Sequence, residues 1–334
     1  MKIIVDAMGG DHAPEEIVKG ALRARRELGV DLLLVGQKEK IEACLEGEIA
    51  EIVDAREVIL MEDDPSTATR RKKDSSMAVA LRMLTEGAGD AVVSAGSTGA
   101  LLTGATLTVK RIRGVRRAAL APILPAGEHG VMLMDAGANV ECTAEYLLQF
   151  AYMGSFYARS LMNLDRPRVG LLNVGTEDSK GGTLQHRAFE LLQQAHREGH
   201  INFVGNIEGT GVFSGAADVV VTDGFTGNVL LKSVEGVIKY IMKTLKNDVF
   251  YKSTKNKLAA AVLKNDLTVM KKSMDVNEVG GTALIGISKP VIKAHGSSNA
   301  DSFFAAIRQA KQFAESGLIR EIAENIDYMK VKAE

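Results

Sequence analysis

The sequence predicts an α/β fold in which parallel strands are joined by crossover helices, and three observations carry that prediction. Short apolar runs recur along the chain, helix-period segments separate most of them, and glycine, an acid or an amide tends to close each run. The first strand is expected at residues 3–6, a β-branched run closed by Asp6. A helix is expected at 15–28, opening on Pro14 with Glu15 and Glu16, because proline tolerates a first turn and acids favour its dipole. The second strand falls at 31–35. Further strands are expected at 91–94, 131–135, 169–173, 201–204 and 219–223, which makes seven, enough for a large sheet. Segments 76–85, 99–110, 144–161, 183–198, 228–247 and 300–315 have the amphipathic spacing of helices that pack on a sheet. No repeat, low-complexity tract or linker interrupts the alternation, so residues 1–334 read as a single α/β domain.

Composition sets the limits of function. With 334 residues, 46% hydrophobic and 25% charged, the chain can bury a sizeable core. Lys plus Arg is 41 against 42 for Asp plus Glu, so no global field draws nucleic acid. The two cysteines form no CxxC and no disulfide framework, which fits a reducing, cytosolic compartment. No apolar stretch approaches the ~20 residues of a membrane span, and no secretion signal is evident.

The 33 glycines sit mainly just after the expected strands: Gly9 and Gly10, Gly96 and Gly99, Gly137, Gly224 and Gly227, Gly296. In an open α/β sheet those strand ends form the ligand crevice, where glycine lets amides at a helix start approach an anion; glycine also simply turns corners there. Three loops carry more than glycine. SAGSTGA offers the hydroxyls of Ser97 and Thr98, while NVGTEDSKGG and VTDGFTGNVLLK place Asn173 and Asp223 at strand tips, the latter followed by Thr226. There is no GxxxxGK[ST] and no GxSxG; Gly209, Gly211 and Gly215 approach GxGxxG but are one residue too long and have no expected strand immediately ahead of them.

His12 and His295 follow short apolar runs and are the histidine site candidates, and no His, Cys or acid pair has zinc spacing, so no metal is expected. Cys142 follows DAGANVE as a candidate nucleophile without a local base, or as an inert small residue. Arg70, Arg71, Lys72 and Lys73 precede a helix start, forming an anion-docking patch or a solvated turn. From 251 to 274, Leu258, Val262 and Leu263 recur near helical spacing among six lysines, suiting a membrane surface, a partner or the chain's own core.

The stretches VDAMGGDHAP, RRKKDSSM, SAGSTGAL, DAGANV, LLNVGTED, VVVTDGFTGNVLLK and KPVIKAHGSS, in this order, resemble the PlsX-type phosphate acyltransferases of bacterial phospholipid synthesis. The resemblance runs from Met1 to about Arg308. It implies a three-layer αβα fold similar to phosphotransacetylase and the isocitrate and isopropylmalate dehydrogenase group, usually dimeric. It also implies an enzyme moving a long-chain fatty acyl group from acyl carrier protein to inorganic phosphate, without a cofactor. Ser97 stands where asparagine is expected, so a carboxamide role there is replaced by backbone amides.

Phosphate attack on a thioester needs an anion site, donors for the carbonyl oxyanion and a proton for the leaving thiolate. Ser97, Thr98 and Gly99 with Lys293 or His295 are expected to hold phosphate, and Asn228 or amides near Gly227 to face the oxyanion. Asp6, Asp11 and Asp223 orient donors, His12 or His295 supplies the proton, and Gly9, Gly10, Gly296 and Ser297 form walls. A helical segment at 233–275 is expected to meet a dimer partner, the membrane or a membrane acyltransferase, giving a cytoplasmic protein that is peripheral at the inner face. The rival functions are an NAD(P)-linked dehydrogenase of related fold and a non-catalytic scaffold for carrier protein and lipid.

Overall fold

A computed structural model describes residues 1–127, 129–274 and 280–331. The first sheet begins with β1 (Lys2–Asp6), α1 (Glu15–Leu28), β2 (Asp31–Gly36), α2 (Lys38–Ala43) and β3 (Glu51–Asp54). It continues through α3 (Ala68–Arg71), α4 (Ser76–Glu86), β4 (Ala91–Ser94) and α5 (Thr98–Gly104), and a π turn at Ala105–Val109 leads to β5 (Ala119–Ala121). The second sheet opens with β6 (Ile123–Leu124) and β7 (Val131–Met134), then α6 (Ala144–Met162), β8 (Arg168–Leu172), α7 (Thr183–Arg197), β9 (Asn202–Ile207) and β10 (Val219–Val221). From there α8 (Gly224–Thr244), a π turn at Leu245–Phe250, α9 (Thr254–Val262) and α10 (Lys264–Ser273) form a long helical excursion. The chain then returns to the first sheet as β11 (Thr282–Ile285) and β12 (Val291–Lys293) and ends in α11 (Ala300–Glu315) and α12 (Leu318–Glu324).

Strand order is β3-β2-β1-β4-β12-β11-β5 in one sheet and β6-β7-β10-β8-β9 in the other. All neighbours are parallel except β11 with β12, β11 with β5, and β6 with β7. The single expected sheet is therefore two, and the reason is local. Pro122 alone separates β5 from β6, and it has no N–H to continue a ladder. Around it the chain passes from the edge of one sheet to the edge of the other, stitched by Ala136 N–H donating to the Leu120 carbonyl (2.9 Å) and Leu133 N–H to that of Pro122 (3.0 Å).

Alternation along the strands sorts the core into two faces. Ile3, Val5 and Ala7 join a cluster with α1, α6, α7 and α11, whereas Ile4, Leu33 and Val35 join one with α4 and α5. Each cluster takes residues from both sheets, Met132 and Val219 in the first and Leu133 and Val220 in the second, so three αβα layers extend across the break.

The expected strands at 131–135, 169–173, 201–204 and 219–223 all form with shifted ends. The reading missed β3, β5, β6, β11 and β12, which are two to four residues long, too short to show a period. Two expected helices, 99–110 and 228–247, each divide into an α helix and a π turn. The segment 233–275 is largely helical through Ser273, broken at 251–253 after the π turn and between α9 and α10, and its last residue lies outside the described ones. No helix among the described residues is long and apolar enough to cross a membrane.

Candidate active site

Three neighbouring parallel strands deliver a polar row. The register pairs Asp6 of β1 with Ser94 of β4 and Ser94 with Lys293 of β12, and alternation turns all three toward the α4 and α5 face. Ser94 Oγ donates to Asp6 Oδ2 at 2.5 Å and accepts from Gly96 N–H at 3.1 Å. The Lys293 ammonium donates to the carbonyls of Ala294 and Ala95, the latter at 3.4 Å. Asp6, Ser94 and Lys293 are all buried. Burial pushes the Asp6 carboxyl up, against the lowering by the hydroxyls of Ser76 and Ser94, the Met8 amide and the Lys293 charge.

The second sheet contributes a helix start held against a buried acid. Asp135, just past β7, accepts from the amides of Leu120 (3.0 Å), Ala138 (3.1 Å) and Asn139 (2.7 Å) and from the Asn139 carboxamide (2.9 Å). Against this knot lies the first turn of α8. A Cβ on Gly227 would sit 1.9 Å from the Asp135 carbonyl oxygen, so only glycine permits the approach. Asp223 caps the helix, accepting from the Thr226 amide and hydroxyl, both at 2.8 Å. The next residues of α8, Asn228, Leu231, Lys232 and Glu235, follow i, i+3, i+4, i+7 spacing and form one stripe.

That stripe faces Thr98, Lys293 and His295 across a cleft of about 130 Å³, floored by Leu120 and Pro122 where the two sheets meet. The cavity can hold a tetrahedral oxyanion with water beside it. Desolvation brings the Lys293 ammonium down to about 8, with Lys232 pressing the same way and Asp6 and Asp11 opposing, so it is a cation at neutral pH. His295 is pushed down by burial and by the charge of Lys293, then Lys232 and Lys239, against Glu235. Its Nδ1 accepts the Ser297 amide at 3.2 Å and lies 2.8 Å from Ser297 Oγ, which leaves the proton of the neutral ring on Nε2.

Of the residues expected from sequence, Thr98, Asn228, Lys293 and His295 line the cleft together. Ser97 is the buried cap of α5, its Oγ accepting from Ala100 N–H at 3.5 Å, and Gly99 is the second residue of that helix, so their amides open toward the same region. The Gly9 to His12 loop forms a wall behind Lys293. A Cβ on Gly9 would meet Gly96 N at 2.6 Å, and Asp11 N–H donates to the Gly296 carbonyl at 2.8 Å. His12 is exposed on that loop and does not line the cleft. Asn173 is turned into its own loop, donating to the Lys180 carbonyl at 3.0 Å and accepting from Val174 N–H at 2.8 Å.

Two expectations, the docking role of Lys72 and the lack of a strand ahead of Gly209, need correction, and the open choice at Cys142 is decided for the inert residue. Lys72 is not free for docking, because its ammonium is held by Asp63 at 2.6 Å and the Val58 carbonyl at 2.9 Å, whereas Arg70, Arg71 and Lys73 are exposed. Cys142 is half-buried and its thiol is pushed up to about 12 by desolvation with Asp135 and Asp223 nearby, the opposite of an activated nucleophile. Gly209, Gly211 and Gly215 do follow a strand, β9, but lead into a 3₁₀ turn at Gly211–Phe213 rather than a dinucleotide-binding helix. The reading also missed Lys232, Glu235 and Ser94; the first two were legible as the continuation of the Asn228 stripe. Among the described residues no three His, Cys, Asp or Glu side chains gather as a metal ion requires.

Comparison with known proteins places these features in a context. A family model described as fatty acid synthesis protein matches residues 1–321. A phosphate acyltransferase of Lysinibacillus sphaericus (strain C3-41) is 46% identical over 99% of this chain and 100% of its own. A phosphate acyltransferase of Geobacillus sp. (strain WCH70) is 48% identical over 98% and 99%. Among solved structures, a phosphotransacetylase from Streptococcus pyogenes superposes with a TM-score of 0.63 at 17% identity, covering 94% of both chains, which establishes the shared fold.

Proposed function

The chain belongs to the fatty acid synthesis protein family, whose curated relatives are phosphate acyltransferases, and from that premise we propose that it transfers a long-chain acyl group from acyl carrier protein to inorganic phosphate. The product, acyl phosphate, supplies phospholipid synthesis. The observation that carries this reading is the buried Lys293 ammonium beside His295 and the start of α5, in a cleft closed on its other side by Asn228.

In this mechanism Lys293 and the first amides of α5 hold phosphate, with the Thr98 hydroxyl beside them. The Asn228 carboxamide and the opening amides of α8 face the thioester carbonyl and stabilise its oxyanion. A phosphate oxygen attacks the carbonyl carbon, forming the C–O bond, and the C–S bond breaks. His295 Nε2–H supplies the proton that the leaving thiolate takes up, and the proton of hydrogen phosphate restores the ring, so charge and atoms balance. Attack is direct, consistent with a Cys142 thiol that stays protonated.

The chain works as one catalytic domain, as a homodimer in the cytoplasm at the inner face of the membrane. Arg70, Arg71 and Lys73 dock the acidic carrier protein, supported by the packing of the segment before α3 on α5, where Pro65 lies 2.8 Å from a Cβ built on Gly99. The helical excursion meets lipid or the partner through Leu258, Val262 and Leu263, which are 67%, 83% and 43% exposed. The test is acyl phosphate formation from palmitoyl acyl carrier protein and phosphate, trapped with hydroxylamine. Phosphate-dependent hydroxamate is the expected product, and its absence from folded protein sinks the reading.

A further inference from the structure

Among the described residues, the cleft contains one internal anion. Of the described residues that line it, Glu235 is the only acid, set with Lys232, Lys293 and His295. Both carboxylate oxygens of Glu235 receive the Lys232 ammonium, at 3.2 and 3.0 Å. The Glu235 side chain is 18% exposed and that of Lys232 is 56%, so the acid is the anchored member of the pair and the lysine the outer one. A carboxylate oxygen carries two lone pairs, so Glu235 keeps acceptor capacity toward the cleft after Lys232 is bound.

An acid in an anion site is a cost unless the ligand brings a proton to it. Hydrogen phosphate and sulfate are tetrahedral dianions of similar size near neutral pH, and they differ in one P–OH. Lys293, His295 and helix amides donate, and they treat the two anions alike. Only an acceptor tells them apart, because it hydrogen-bonds the hydroxyl of phosphate and meets sulfate as an unpaired like charge. Resting on the reading that this cleft holds inorganic phosphate, we infer that Glu235 is the residue that selects protonated oxyanions and rejects sulfate.

The experiment measures phosphate, arsenate and sulfate binding by calorimetry on the full chain without acyl donor, so its result does not depend on turnover. Wild-type protein is expected to bind phosphate and arsenate, which keeps its proton, at least about tenfold more tightly than sulfate. Glu235→Gln, whose amide also donates, should bring the phosphate-to-sulfate ratio close to one, chiefly by tightening sulfate. Lys232→Met should alter affinity for both anions and keep the preference for phosphate. Equal binding of the two anions by wild type overturns the inference, as does an unchanged ratio in folded Glu235→Gln; the wild-type comparison decides it if that variant does not fold. Loss of acyl phosphate formation alongside intact selectivity would instead refute the proposed reaction.

Discussion

At the scale of single residues, Lys293 carries the clearest consequence. Its ammonium is buried and drawn down from 10.5 to about 8 by desolvation. A cation held below its unfolded value makes the unfolded chain bind more protons between these limits, so stability rises as pH climbs from about 8 toward 10.5. Relative to Lys293→Met, ligand-free wild type should gain about 3 kcal/mol across that window in chemical denaturation. Activity should move the other way: kcat/KM for phosphate falls as pH rises through about 8, because the neutral amine no longer attracts the dianion. A flat kcat/KM profile across that range would remove Lys293 from phosphate binding. The sequence exposed Lys293 and His295 as polar groups closing a short apolar run, in a stretch that carries the family resemblance. It could not show Asp6 and Ser94 as their neighbours, since the three segments lie far apart in the chain and meet only through strand order.

At the scale of elements, the start of α8 is the joint between the candidate cleft and the second sheet. Gly227 lets the helix rest on the Asp135 carbonyl, and Gly224 N–H donates to the Asn139 carbonyl at 2.8 Å. Gly227→Ala must push the helix off that support. It should cost about 3 kcal/mol in denaturant unfolding and lower activity by displacing Asn228; a stability change near zero would show that α8 is not seated there. The same helix leads into the excursion, where α9 has no buried residue and Val262 stands in the open. Exposed apolar groups among lysines favour an anionic bilayer. Wild type should float with anionic vesicles, and Leu258→Glu with Val262→Glu should reduce the bound fraction about tenfold. Unchanged flotation of the folded variant would assign this surface to a protein partner.

At the scale of the whole molecule, the chain is nearly neutral, at 41 basic against 42 acidic residues, so the proposed recognition of an acidic carrier would rest on a local patch. Arg70→Glu with Arg71→Glu should lower kcat/KM for the carrier-bound substrate about tenfold at low salt, with the difference shrinking as salt is added, and leave a small neutral thioester unaffected. Equal loss on both substrates would mean the patch supports the cleft rather than the carrier. Lys72 is excluded from this role by Asp63, a partner nine residues earlier that spacing alone does not reveal.

The sequence by itself determined the αβ alternation, the glycine-rich strand ends and the family, because these are local: periodicity, capping and contiguous motifs are written within a few residues of one another. Thr98, Asn228, Lys293 and His295 were nameable on that basis. Only the tertiary structure decided that there are two sheets, that Pro122 marks their seam, and that Glu235 stands among the cations. It also decided that Cys142 is half-buried beside acids and chemically quiet. These outcomes depend on which distant strands become neighbours and on how much water each side chain loses there, and burial and field are properties of the assembled fold rather than of any segment.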